Sequence, residues 1–167
     1  MAIVDRKSQA ITNATATPVV FNSPARGYGE VKEVVAVIAS AADDTANSIG
    51  RFFRLPSNAR VSNLLITAAD ATTAGAIDVG LYTVDGGAVV DADFFASALD
   101  LAAGPYAEAE IKHESTVSYT TANVEKMIWE LLGLTSDPGK EYDVAYTITT
   151  TFNGGPTAIA LKARYVR

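Results

Sequence analysis

From Tyr142 to Tyr165 the chain alternates between two kinds of side chain almost without interruption. Tyr142, Val144, Tyr146, Ile148 and Phe152 fall on one side of an extended backbone, and Asp143, Ala145, Thr147, Thr149 and Thr151 on the other. After Asn153-Gly154-Gly155-Pro156, the residues Ile159, Leu161, Ala163 and Tyr165 alternate in the same way with Ala158, Ala160, Lys162 and Arg164. A period of two sends successive side chains to opposite faces of a strand, whereas a helix needs apolar residues every three to four positions. The pattern predicts two antiparallel strands with one buried and one polar face, joined as a hairpin.

The same texture extends upstream. Val31–Ala39 is an almost unbroken β-branched run, expected of a strand buried on both faces. Ile49–Leu55, stopped by Pro56-Ser57-Asn58, reads as a second strand, and Arg60–Thr67 as a third with Val61, Asn63, Leu65 and Thr67 on one face. Ile77–Val84 alternates into Asp85-Gly86-Gly87, a tight turn leading to Ala88-Val89-Val90 as a hairpin. Two stretches break the pattern. Asp91–Leu101 carries Phe94, Phe95, Ala98 and Leu101 at helical spacing behind Asp91 as N-cap, which predicts a short helix. Asn123–Leu132 places Val124, Ile128, Leu131 and Leu132 at helical spacing before Gly133, and a strand ending at Trp129 is the alternative. Strands punctuated by turn signals every 8–12 residues or so predict an all-β chain, an antiparallel β-sandwich of jelly-roll type with one or two short helices. An immunoglobulin-like sandwich shares that signature.

Residues 1–30 differ. Ser8 to Pro18 has little bulk and no helical stripe, and Asn22-Ser23-Pro24 and Gly27-Tyr28-Gly29 are turn or breaker signals. Yet Ile3, Val4, Ile11, Val19, Val20 and Phe21 are too apolar for a purely solvating tail. Residues 1–30 are therefore read as an extended arm that orders on a neighbour, with a disordered terminus as the plainer reading, and residues 31–167 as a single β-sandwich domain.

Composition narrows the function. Ala, Thr and Val make up 62 of the 167 residues, and charged residues reach only 19%, below the usual quarter. Small, weakly charged surfaces suit a chain that lies against other protein. The net charge of −6 argues against nucleic-acid binding through counterion release. That charge divides as +2 over residues 1–60, −8 over 61–114 and 0 over 115–167. A solvated acidic face is the plain reading of the middle segment, and a head-to-tail contact between copies the sharper one. No run of about 18 apolar residues and no secretory leader is visible, so neither a membrane span nor a membrane partner is expected.

Little of the chain can carry chemistry. There is no cysteine, and His113, between Glu110 and Glu114, is the single histidine. One histidine cannot build a multi-histidine zinc site within a subunit, and no Gly-x-Ser-x-Gly elbow supports a triad through it. The pairs Asp43-Asp44 and Asp91 with Asp93 lack the sugar-stacking aromatics of a glycosidase, and Trp129 sits in a stripe that reads as core. Asp91-Ala92-Asp93 departs at once from a calcium-loop pattern, no phosphate-cradling loop is present, and Asn13-Ala14-Thr15 is a chance glycosylation triplet. No catalytic, cofactor-binding or metal-binding residue is assigned, no cofactor is expected, and the chain is read as a non-enzyme. Arg51, Arg54 and Arg60 form the one basic cluster, although a regular strand places Arg51 and Arg54 on opposite faces. They are solvated strand arginines or, with the apolar residues of the arm, an interface with an acidic partner.

One stretch carries a resemblance. The turn Arg54-Leu55-Pro56-Ser57-Asn58-Ala59, the hairpin sequence DVGLYTVDGG at 78–87 and the segment DADFFASALDL at 91–101 resemble small virion proteins of tailed bacteriophages. The segments TSDPGKEYDVAYTITT and GGPTAIALKARYV are similar to the closing strands of those proteins, so the likeness spans roughly residues 30 to 166. The resemblance implies a head decoration, or cement, protein made in the cytoplasm of a bacterial host. Such a protein sits on the capsid exterior of the virion, has the major capsid protein as partner and clusters as a trimeric homo-oligomer. A receptor- or carbohydrate-binding module of a tail fibre or spike is the alternative.

Overall fold

The computed structural model describes residues 7–22, 29–41, 44–69, 74–113, 118–154 and 158–167. Among the described residues eight strands, β1 (Val31–Ala39), β2 (Ile49–Pro56), β3 (Arg60–Ala68), β4 (Ala74–Thr83), β5 (Val89–Asp100), β6 (Tyr106–Glu110), β7 (Glu141–Asn153) and β8 (Ala158–Val166), form two four-stranded antiparallel sheets. The first sheet runs β1-β8-β3-β6 and the second β2-β7-β4-β5. The pairs β1–β8, β2–β7, β3–β6 and β4–β5 are nested, as if one long hairpin had been folded over, and this order fits the jelly-roll arrangement expected from the sequence. Two short helices, α1 (Gln9–Ala14) and α2 (Ile128–Leu131), complete the described elements together with 3-10 turns at Leu101–Ala103 and Thr121–Asn123.

The inner faces meet in one core. Leu64, Ile66, Ile159 and Leu161 of the first sheet are buried with Ile77, Val79, Leu81, Val144 and Ile148 of the second. One end is closed by Phe94, Phe95 and Tyr119, whose ring centroids lie 4.9 to 5.9 Å apart.

The β7–β8 alternation assigns faces correctly, but the two strands are not a hairpin. They lie in opposite sheets, each pairing with strands remote in sequence, so the turn around Asn153 and Gly154 is an arch across the core; residues 155–157 of it lie outside the described residues. Alternation reports which face of a strand is apolar and is silent about which strand lies beside it. The Asp85-Gly86-Gly87 hairpin does form. Asp85 and Gly86 have φ of 58° and 77°, and Gly87 N donates to Val84 O at 3.2 Å, the sign pattern of a type I′ turn.

The helix expected over Asp91–Leu101 is instead the strand β5. Its pairing with β4 shifts register three times, so Phe94, Phe95 and Ala96 are buried in succession and imitate helical spacing. Gly80 of β4 makes room for this bulged strand, since a Cβ there would lie 2.1 Å from Asp91 O. Asp91 caps no helix; Asp100 takes that role for the following 3-10 turn, accepting from Ala102 N at 2.9 Å. The expected Asn123–Leu132 helix shrinks to the single turn α2, with Ile128 buried, Trp129 half-buried and Gly133 at φ 71° just beyond it.

Two further expectations change, one through a bulge and one through a strand's place at the sheet edge. A bulge between Val61 and Asn63 in β3 turns Val61, Leu64, Ile66 and Ala68 inward and leaves Asn63, Leu65 and Thr67 outside. The run Val31–Ala39 is not buried on both faces. It is an edge strand whose Val34 and Ile38 pack on the core while Val31, Val35 and Val37 are 60%, 56% and 66% exposed. The arm is not uniformly extended either. Ser8 Oγ accepts from Ile11 N at the start of α1, no residue of α1 is buried, and Val19 to Asn22 forms neither helix nor strand.

Candidate protein-interaction surfaces

The outer face of the second sheet carries a charged network. A bulge between Arg51 and Phe53 in β2 puts Arg51 and Arg54 on one face, where the sequence reading had separated them. Arg51 Nη1 donates to Asp143 Oδ2 at 3.1 Å and Arg54 Nε donates to Asp143 Oδ1 at 2.9 Å. Arg51 also donates to the carbonyls of Thr83 and Gly87 and lies over the Tyr82 ring at 5.1 Å. Arg54 reaches Asp85 at 2.5 Å, and this carboxylate, followed by Asp143, holds its guanidinium pKa above the usual value. The two arginines are therefore committed to tying β2 to β7 and to the β4–β5 turn. Arg60 stands apart on β3 of the other sheet, close enough to Lys112 and Tyr119 to act on them electrostatically.

The outer face of the first sheet is apolar at one side and paired at the other. Along β1, β8 and β3 the rows are Glu33–Arg164–Asn63, Val35–Lys162–Leu65 and Val37–Ala160–Thr67. Arg164 Nε donates to Glu33 at 2.7 Å, which lowers the Glu33 pKa, and Lys162 bonds Glu108. Beside these neutralised pairs, Val35, Val37, Ala39, Ala158 and Ala160 form a smooth, uncharged strip. The sequence reading missed this surface because an unbroken valine run has the same appearance in a central strand as in an exposed edge.

The apolar residues of the arm are presented to solvent. Ile11, Val19 and Val20 are half exposed or more, and Phe21 is 91% exposed, the one aromatic among the described residues in the open. Asn13 folds this segment on itself, its Nδ2 donating to Asn22 Oδ1 at 2.7 Å and its carbonyl accepting from Val20 N at 3.2 Å. Ile3 and Val4 lie outside the described residues.

The titratable groups are arranged for structure. Exposed His113 donates through Nδ1 to Tyr119 O at 2.9 Å, a contact within its own loop, and Glu114 lies outside the described residues. Lys112 is buried with Nζ 2.5 Å from Ser62 O and over the Tyr119 ring; burial lowers the lysine pKa and raises that of the tyrosine. Among the described residues no three His, Asp or Glu side chains gather as metal ligands, and no helix is long and apolar enough to cross a membrane. A hollow of about 580 Å³ is an open depression lined by Arg54, Val84, Val90, Lys140 and Tyr142, and Tyr142 is only 7% exposed there.

No known family profile matches the chain, and no curated protein does. Among solved structures, a chain of the cyanophage Pam1 capsid asymmetric unit superposes with a TM-score of 0.54 at 18% identity, over 91% of this chain and 96% of that one. A chain of the capsid of Ralstonia phage GP4 gives a TM-score of 0.44 at 18% identity, over 86% and 94%. The first likeness establishes a shared fold across nearly the whole length of both chains.

Proposed function

We propose that the chain is a non-enzymatic structural protein of a tailed-phage virion. It is made in the bacterial host cytoplasm, binds the outer surface of the capsid through the major capsid protein, and stabilises the shell as a trimeric decoration protein. The observation that carries this reading is the end-to-end fold likeness to a chain of a phage capsid asymmetric unit. The sequence resemblance of residues 30–166 to phage virion proteins supports it independently.

The surfaces suit the role. A shell-binding protein needs faces that approach a neighbour without desolvating unpaired charge, and the first sheet offers an uncharged Val and Ala strip beside ion pairs already satisfied within the subunit. The arm adds Val19, Val20 and Phe21, whose burial on the shell or on another subunit supplies hydrophobic free energy. Binding only the assembled lattice stabilises that lattice by mass action. Neither nucleic acid nor membrane is a partner in this account.

A glycan-binding module of a tail fibre is the competing role. It needs exposed aromatic faces to stack on sugars, and the folded domain keeps its rings buried or half-buried. Co-sedimentation with empty shells, run beside a glycan-binding screen, separates the two. Retention by shells without glycan binding is the expected result; glycan binding without shell retention overturns the proposal.

A further inference from the structure

We infer that the open edge of β1 receives the Val19–Phe21 segment of a second copy of this chain as an added strand. The four sheet edges are unequal. β2 is broken by a bulge at Arg51/Phe53 and ends in Pro56, β5 by three register shifts and Ala98 at φ 49°, and five-residue β6 by a shift and Glu108 at φ 52°. Bulges, prolines and short lengths are the usual means of keeping an edge from pairing with another chain. β1 has none of them: nine consecutive residues pair with β8 without a register shift, and among the described residues no strand is hydrogen-bonded to its other edge. A flat, regular, valine-rich edge is a template for strand addition, where backbone hydrogen bonds supply affinity and alternate side chains supply fit.

The arm is the matching piece. Val19 to Asn22 belongs to no helix or strand, so it is free to extend on binding, and in an extended segment Val19 and Phe21 share one face. On the β1 edge they lie against the exposed Val35 and Val37, covering apolar residues on both sides. Within one copy this contact is not made, since Phe21 is 91% exposed and Val20 N is held by Asn13 O. Nine residues separate Phe21 from Val31, ten backbone steps with a reach of at most about 35 Å, enough to span to an adjoining subunit of this size. Arm of one copy onto edge of the next is a heterologous contact, and it closes as a ring when the rotation allows. The inference concerns two copies in solution, so it stands or falls separately from shell binding.

The absence of cysteine makes the test direct. Val19→Cys in one preparation and Val35→Cys in another are mixed at high concentration under mild oxidation, with Ser136→Cys as the control partner for Val19→Cys. All three positions are exposed, so the variants keep the fold, which circular dichroism checks. The expected result is a covalent dimer in the Val19/Val35 mixture, at least tenfold above the control mixture, reduced about tenfold or more when Phe21→Asp is added to the arm. Sedimentation of the unmodified chain then gives an oligomer that Phe21→Asp converts to monomer. Cross-linking no greater than in the control, or a Val19→Cys/Val35→Cys chain that closes only on itself as a monomer, overturns the inference.

Discussion

Arg54 Nε donates to Asp143 Oδ1 at 2.9 Å across the β2–β7 pair, and it can do so because Phe52 is an extra residue in its strand. Without that bulge, Arg51 and Arg54 would point to opposite faces; with it, both close over one carboxylate. The network fixes the register of an edge strand as well as contributing to stability, since a one-residue slip would pull both guanidinium groups off Asp143.

Replacing Asp143 by Ala is expected to destabilise the fold by about 2 kcal/mol, because it leaves two arginines facing each other over a largely desolvated position. The urea midpoint of unfolding should fall with an unchanged slope. A midpoint equal to that of the parent would show that the arginines find water without cost.

Gly80→Ala should be far more damaging than Gly86→Ala. A Cβ on Gly80 meets the backbone of Asp91 and Ala92 at 2.1 to 2.4 Å, so strand β5 itself must move, at a cost of about 3 kcal/mol or more. A Cβ on Gly86 meets nothing within 4 Å, and only its φ of 77° resists, at about 1 kcal/mol. Thermal unfolding of the two variants side by side tests the ranking.

Asp91→Asn is expected to stabilise the protein at neutral pH and to be neutral in acid. Burial, and then the neighbouring Asp93, raise the Asp91 pKa above its ordinary 3.8. A carboxyl with a raised folded pKa favours folding fully below its unfolded pKa and loses that contribution as pH climbs through the folded value. The asparagine amide keeps a donor toward Asp93 and removes the charge. The gain should emerge from about pH 4 upward and stay at or below about 1 kcal/mol, because water screens a half-exposed group. Melting curves of both proteins at pH 3 and pH 7 decide it.

Deleting residues 1–22 should leave the melting temperature of the fold nearly unchanged, because α1 buries no residue and Phe21 is in solvent. Shell binding and self-association should weaken together. A truncated chain that fails to fold would make the segment part of the core.

Strand faces were legible in the sequence wherever the pleat was regular: Tyr142 to Ile148 and Ile159 to Ala163 point inward as their alternation predicts. Errors fell at bulges, where one extra residue reverses the rhythm, as at Phe52, at Ser62 and along β5. Pairing was not legible either, since β7 and β8 carry the pattern of a hairpin yet face each other across the core. For the interaction surfaces, the arm residues Val19, Val20 and Phe21 stood out by composition. The β1 edge did not, because the sequence of a strand does not say whether a neighbour flanks it.

The most direct test of the central claim is a cryo-electron microscopy reconstruction of empty phage shells assembled from the major capsid protein proposed as partner, with and without the purified chain added. The account predicts difference density on the outer surface, in threefold clusters the size of three sandwich domains, and greater resistance of the decorated shells to heat. Difference density at the tail or on the inner surface, or shells that are identical with and without the chain, would contradict it.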